Sequence, residues 1–236
     1  MDISQTDLDA FPPTRARILR LIKASGSASL RELAAALDQT RENARQQLQE
    51  LKQGGWIRGQ ARAAPDGRGR PAMRYTLTSA GDHLFPKHYD DLTVILLDMV
   101  ERRHGEAALH QTMRDLTDAG VAQWHQQLAD LDLADRIQAL RGIYFEDDPY
   151  TEVDDSGGEY RLIEKNCPYL NVAMQRPQMC SITVSTLTRL LGYRVVREKR
   201  FQDGDHRCVF RVLRHQPVDA DRFAFELEAD FQSAGE

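Results

Sequence analysis

Three short apolar stripes at helical spacing, each closed by a helix breaker, occupy the front of this chain and restrict what it can fold into. Thr14 to Ala24 place Ile18, Leu21 and Ile22 on one helical face, and Gly26 ends that segment. Ser27 to Ser29 form a connector. Ser29-Leu30-Arg31-Glu32 then has the spacing of a capping box, in which Ser and Glu satisfy each other's free backbone amides. Leu33, Ala34 and Leu37 line a short second helix that Asp38-Gln39 breaks. Thr40 reads as the N-cap of a third, in which Ala44, Leu48 and Leu51 recur at i, i+4 and i+7 before Gly54-Gly55 stops it.

A hairpin follows. Trp56 to Ala61 and Met73 to Thr78 read as short strands joined by the turn-rich Pro65-Asp66-Gly67-Arg68-Gly69-Arg70-Pro71. Three helices and then a hairpin are the order of a winged helix-turn-helix, whose third helix enters the major groove. The polar face of that helix carries Arg41, Glu42, Asn43, Arg45, Gln46 and Gln49. Arg can grip guanine, and Gln or Asn adenine, through paired hydrogen bonds. At the wing tip, Arg68 and Arg70 stand among glycines that would let the backbone approach DNA. Guanidinium groups there suit a narrow minor groove.

Charge divides the same way. Residues 1–75 carry 13 Lys and Arg against 8 Asp and Glu, whereas the whole chain has 31 against 36 and a net charge of −5. A basic head on an acidic body fits a nucleic-acid-binding module attached to a non-binding domain.

The fold expected is α+β in three parts. Residues 1–85 form the winged helix-turn-helix domain, 86–142 a helical connector or dimerisation region, and 143–236 an α+β sensor domain. In the middle part, Asp91–His104, Glu106–Ala119 and Val121–Arg141 read as helices. Leu92, Ile95, Leu96, Met99 and Val100 give the first an apolar stripe suited to pairing subunits or to packing within the second domain. In the last part, Tyr150–Val153 and Tyr160–Glu164 flank a Gly-rich turn, and Tyr193–Phe201 and His206–Leu213 read as a second antiparallel pair.

All three cysteines fall in this last part: Cys167 before a proline, Cys180 in the first turn of a helix opened by Pro177, and Cys208 after a turn. An odd number in a chain expected to be cytoplasmic argues against a disulfide framework. Three thiolates gathered by folding could hold a soft metal or an iron–sulfur cluster. Their spacing lacks the paired short intervals of structural zinc, which makes zinc the weaker metal reading. The helix start is expected to lower the Cys180 pKa, and strand spacing to put His206 beside Cys208. The plain alternative is three buried core cysteines.

Taken together, Gly67-Arg68-Gly69-Arg70-Pro71 with Tyr75-Thr76-Leu77-Thr78, Asn166-Cys167-Pro168-Tyr169-Leu170-Asn171-Val172-Ala173, Pro177 through Cys180, and Gly204-Asp205 leading to Cys208 resemble the SufR-like winged-helix repressors of iron–sulfur cluster assembly genes. These fall within a wider group of ArsR- or DeoR-type regulators. The resemblance covers most of residues 14–213. It implies that Cys167, Cys180 and Cys208 ligate a [4Fe–4S] or [2Fe–2S] cluster and that the cluster-bound form represses. Some members carry a fourth cysteine and this chain does not. His206 is the first candidate for the fourth position, with Asp205 and Glu164 behind it.

The expectation is therefore a transcriptional regulator that binds double-stranded DNA as a homodimer, with no membrane partner. Its runner-up keeps the DNA-binding head and gives the back domain zinc or a small molecule to sense. No phosphate-binding glycine motif, nucleophile elbow or metalloprotease helix marks an enzyme. A thiol redox catalyst would need a resolving thiol beside Cys167 or Cys180.

Overall fold

The structure, a computed structural model, describes residues 7–62, 72–144 and 148–229. It is α+β and divides into two compact units, Met1–His88 and Tyr89–Glu236.

In the first unit, α1 (Pro13–Ser25), α2 (Leu30–Leu37) and α3 (Arg41–Gln53) pack on a small antiparallel sheet. Each helix end is specified locally. Gly26 stops α1 with φ 72°, and the Ser29–Glu32 capping box opens α2. Asp38 closes α2 in the left-handed conformation, where a short polar side chain is tolerated. The Thr40 side chain accepts the Asn43 N–H at the start of α3. The stripes meet in a core of Ile18, Leu19, Ile22, Leu33, Leu37, Leu48 and Leu51. Phe11 stands edge-on to Trp56 at its margin, with ring centroids 5.4 Å apart.

The wing strands are β2 (Ile57–Arg62) and β3 (Ala72–Leu77), antiparallel with Gly59 opposite Tyr75. The expected connector Ser27–Ser29 contains a further strand, β1 (Ala28–Ser29), paired to β3. Arg74 locks that pairing by donating to Ser27 Oγ at 2.9 Å and to the Ser27 carbonyl oxygen at 2.8 Å. After β3 the chain turns into α4 (Ser79–His83). Gly81 there lies so close to Trp56 that a Cβ would stand 2.0 Å from its carbonyl oxygen.

The second unit opens with α5 (Tyr89–His104), α6 (Glu106–Leu128) and α7 (Leu133–Tyr144). Residues 89–142 of the expected connector thus belong to this unit. Helix α6 runs through the expected break at Gly120 and ends only after Leu128. Gly120 faces Thr186 of α9 (Cys180–Leu191), and a Cβ there would lie 3.5 Å from the Thr186 side chain. The small residue serves close helix packing rather than termination. A four-stranded antiparallel sheet, β4 (Glu152–Asp154), β5 (Tyr160–Glu164), β6 (Tyr193–Lys199) and β7 (Cys208–Pro217), has the order β4-β5-β7-β6. Leu162, Phe210 and Val212 of the sheet pack with Leu187, Leu190 and Leu191 of α9, Ile137 and Leu140 of α7, and Val121 and Leu128 of α6.

Between β5 and α9 lie a loop bearing Cys167, helix α8 (Leu170–Gln175) and a 3-10 turn at Pro177–Met179. The segment after β7 returns over α9: Glu226 N donates to Ser185 Oγ at 3.2 Å and Glu228 N to Ser181 Oγ at 3.0 Å. No helix of the described residues is long and apolar enough to cross a membrane.

Candidate functional site

Two surfaces of the molecule carry chemistry. The first is the outer face of α3. Ala44, Leu48 and Leu51 point into the core, which leaves Arg41, Glu42, Asn43, Arg45, Gln46 and Gln49 exposed to solvent as the periodicity requires. Arg45 Nη1 pairs with Glu42 Oε2 at 3.0 Å, one helical turn away. Both side chains are largely exposed, so this pair contributes little and is easily exchanged for another anion. Arg15 braces the helix from behind through Glu50 at 2.7 Å and Gln47 at 3.1 Å. Arg45, Gln49 and Lys52 of α3 line a shallow cleft with Gly59, Met73 and Tyr75 of the wing sheet. Arg68 and Arg70 lie outside the described residues.

The second surface lies at the end of the four-stranded sheet beneath α9. Cys208 is the first residue of β7 and Glu164 the last of β5, and the two are Cα partners across the antiparallel pair. In the adjoining row, Leu162, Phe210 and Arg197 are partners across three strands. Directly opposite residues share a face. Glu164 and Cys208 therefore share the face of the sheet on which Leu162 and Phe210 enter the core. Arg197 lies over the Phe210 ring, 4.6 Å from its centroid.

Cys180 begins α9 directly above this corner. Its thiol accepts a hydrogen bond from Gln202 Nε2 at 3.0 Å, and its carbonyl accepts one from Arg197 Nη2 at 2.9 Å. Cys167 stands in the loop after β5. That loop is held by Asp148, a residue sequence reasoning passed over. Asp148 Oδ2 accepts the backbone N–H groups of Lys165 at 2.5 Å and Asn166 at 2.9 Å, and Oδ1 accepts that of Tyr150. Burial raises the Asp148 carboxyl, yet those N–H groups overcome the rise and hold it below its ordinary value. The signal in the sequence was Asp148-Pro149-Tyr150, an Asx-turn pattern whose carboxylate has capacity to spare.

The three thiols share one electrostatic neighbourhood. Burial pushes Cys167 up to about 11; the Tyr169 N–H opposes the rise, and Glu164, Cys208 and Cys180 add to it. Burial also raises Cys208, against the pull of Arg197 and with Glu164 and Cys180 adding. For Cys180, burial again leads, with Arg197 and Gln202 in opposition. This corrects the expectation that the start of α9 would lower the Cys180 pKa. Desolvation of the thiolate outweighs the helix dipole, which is felt only over the first turn. Among the described residues, no three His, Cys, Asp or Glu side chains converge closely enough to bind a single metal ion.

His206 is not where strand spacing put it. Strand β7 begins only at Cys208, and His206 sits before it with φ 53°, exposed to solvent. Asp205 is engaged by Lys199 at 3.2 Å. Glu164, by contrast, is 8% exposed, and burial pushes its carboxyl up to about 7, with Arg197 opposing and Asp148 adding.

Comparison with known proteins bears on the first surface. Residues 13–60 match the model of a helix-turn-helix domain family. No relative is found among curated proteins. Two solved structures are similar in part. The adhesin competence repressor AdcR of Streptococcus pyogenes is 18% identical over 43% of this chain and 74% of its own, with a TM-score of 0.27. Lactococcus lactis ZitR, solved in complex with DNA, is 17% identical over 45% of this chain and 72% of its own, with a TM-score of 0.29. The match spans α1, α2, α3 and the start of β2, so residues 13–60 form a helix-turn-helix domain.

Proposed function

We propose that this protein is a dimeric transcriptional repressor whose operator binding is governed by an iron–sulfur cluster held by Cys167, Cys180 and Cys208, with cluster-assembly genes as its targets. The carrying observation is the common neighbourhood of three cysteines from three separate elements: a loop, a helix start and a strand start. A single zinc ion asks four ligands to converge within about 2.3 Å of one point. A cluster spreads its bonds over several irons, so its thiolates stand further apart. Either centre requires the three thiols to draw together, since among the described residues no three His, Cys, Asp or Glu side chains are placed to hold a metal ion.

The donor set fits in other respects. Cys167 and Cys180 are half-buried and Cys208 is buried, which limits access of oxidants. The Arg197 guanidinium acts on Cys180 and Cys208 and favours their thiolates, and it would offset the negative charge of a thiolate-bound centre. Gln202 supplies a hydrogen bond to sulfur. When bound, such a cluster supplies redox and iron sensitivity that thiols alone lack.

On the DNA side, two recognition helices of a dimer would enter successive major grooves, with Arg41, Asn43, Arg45, Gln46 and Gln49 facing base edges and Glu42 giving up Arg45 to the DNA. The wing arginines Arg68 and Arg70 would touch the flanking minor grooves. Loss of the cluster would relax the loop of Cys167 and the start of α9 and shift the population away from the operator-competent dimer. A tenfold change in affinity needs only about 1.4 kcal/mol of such bias.

The test is anaerobic purification with iron and sulfide analysis, followed by a gel shift with and without cluster. The expected protein is brown, loses its visible absorption in Cys167→Ser, and retards operator DNA more strongly when loaded. Colourless protein with stoichiometric zinc would overturn the cluster reading in favour of a zinc-sensing regulator.

A further inference from the structure

Helix α9 carries two serines on a side that is closed to water. Ser181 and Ser185, one turn apart, are 0% and 1% exposed. A buried hydroxyl in a helix commonly bonds the carbonyl four residues back, as Thr112 and Thr117 do in α6 at 2.9 Å. Ser185 turns instead to the segment that returns after β7. It accepts the Glu226 N–H at 3.2 Å and donates to the Glu226 carbonyl oxygen at 3.3 Å. Ser181 accepts the Glu228 N–H at 3.0 Å. Two hydroxyls at helical spacing thus grip alternate residues through their backbone, which is how a groove holds a peptide of variable sequence.

The side chains of that stretch, Phe223-Ala224-Phe225-Glu226-Leu227-Glu228, supply the selectivity. Arg194 of β6 pairs with Glu226 at 2.6 Å and Arg197 with Glu228 at 2.9 Å. The Arg194 guanidinium also covers the Phe223 ring, 5.6 Å from its centroid. Phe225 and Leu227 pack against the cluster of Leu97, Leu109, Met113 and Val172. Acids therefore meet the arginines of the sheet edge, and apolar side chains meet the helices.

The fit is incomplete. A cleft of about 440 Å³ is left among Val184, Thr188, Arg200, Phe223 and Leu227. Well-packed interfaces leave few voids larger than a water molecule. A segment tethered to its own groove sits there at an effective concentration on the order of millimolar, so it keeps its place with imperfect contacts. A partner segment with bulkier side chains would gain the contacts that the tethered one forgoes.

We infer that the groove between α9 and β6 is a docking site for an extended acidic and apolar segment of a partner protein, and that Phe223–Glu228 fills it in cis as a competitor. Arg194 and Arg197 select the acids, and Ser181 and Ser185 hold the backbone. Displacement would also free Arg197, which bonds the Cys180 carbonyl oxygen at 2.9 Å.

The experiment uses the full chain and a fluorescein-labelled peptide, Phe-Ala-Phe-Glu-Leu-Glu, with a control in which lysine replaces both acids. Fluorescence anisotropy is read for wild type, for Phe225→Ser with Leu227→Ser, and for that double variant with Arg194→Glu added. Loosening the cis segment should tighten peptide binding by about tenfold or more over wild type. Arg194→Glu should reverse that gain, and the lysine peptide should not bind. Equal affinity for wild type and the loosened variant, or binding indifferent to Arg194→Glu, would overturn the inference. Should the loosened variant fail to fold, hydrogen exchange of wild type decides. The Glu226 and Glu228 amides should exchange faster in about millimolar peptide, and unchanged exchange would overturn the inference. Peptide that splits a wild-type dimer in sedimentation would make the occupant a second copy of this chain and overturn the assignment to a partner protein.

Discussion

Arg197 donates to the carbonyl oxygen of Cys180 at 2.9 Å with one nitrogen while its Nε pairs with Glu228 at 2.9 Å. The guanidinium is 3% exposed and the carboxylate 11%. One side chain thus ties β6, the start of α9 and the returning segment after β7 into a single knot beside the cysteines.

That knot predicts a strong asymmetry between breaking and replacing the pair. Arg197→Met strands Glu228, whose Oε2 already lacks a hydrogen-bond partner among the described residues. The expected loss is about 3–5 kcal/mol. The double variant Arg197→Met with Glu228→Leu should recover most of it, because a packed apolar pair removes the buried charge as well. Urea denaturation of the three variants measures both steps. Equal loss in single and double variants would show that the pair itself, rather than the stranded carboxylate, sets the cost.

Asp148 should control the loop of Cys167. Asp148→Ala leaves three part-buried backbone N–H groups without this acceptor, at about 1–3 kcal/mol. The pH dependence has a definite sign. The folded carboxyl titrates below its value in the unfolded chain, about 3.9. The unfolded state therefore binds this proton more tightly. The stabilisation is complete above that value and disappears as pH falls through the folded one. Acid unfolding of wild type and Asp148→Asn should converge at low pH and separate above it, and parallel curves would deny Asp148 this role.

The first unit was open to reading because each of its features is local. The Ser29–Glu32 box, the Thr40 cap and the i, i+4, i+7 stripe of Ala44, Leu48 and Leu51 act within one turn of their own positions. What escaped depends on partners distant in the chain. Strand β1 is two residues long and exists because β3 and Arg74 receive it. Gly120 looked like a helix end because its packing partner, Thr186, is 66 residues away. The thiol environment reversed for the same reason: a helix start is visible in sequence, and burial beneath a sheet is not. The pairing of Glu164 with Cys208 is likewise set by the β5–β7 register, which the sequence does not display.

Gly81 carries a steric prediction in the first unit. Its missing side chain admits the Trp56 carbonyl, and a methyl group there would overlap backbone that no rotamer change can move. Gly81→Ala should destabilise the unit by about 1–3 kcal/mol. Trp56 packs edge-on to Phe11 and reports locally by fluorescence. An unshifted unfolding midpoint would contradict this packing.

Arg45 tests base reading. If it grips a base, Arg45→Ala should cost about 1–3 kcal/mol on operator DNA and much less on random DNA. Glu42→Ala removes its anionic partner at 3.0 Å. That change should strengthen binding to all sequences slightly, by sparing the arginine a competitor. Fluorescence anisotropy over a salt series separates the two, since a phosphate contact alters the salt slope and a base contact alters specificity. Equal loss on both DNAs would assign Arg45 to the backbone.

Helix α5 supplies the dimer prediction. Leu92, Ile95 and Leu96 are 52–53% exposed and Tyr89 is 64% exposed on the described surface, while Leu97 on the opposite side is buried. Water-facing leucines and isoleucines in one patch are the mark of an interaction surface, and the proposed regulator would need a second copy of itself to read two half-sites. The proposed dimer would bury this row against its symmetry mate, because a two-fold axis sets one patch against itself. Leu92→Asp with Leu96→Asp should then convert the protein to monomer in sedimentation equilibrium and weaken operator binding, while leaving the melting of the first unit unchanged. A variant that stays dimeric would move the interface elsewhere.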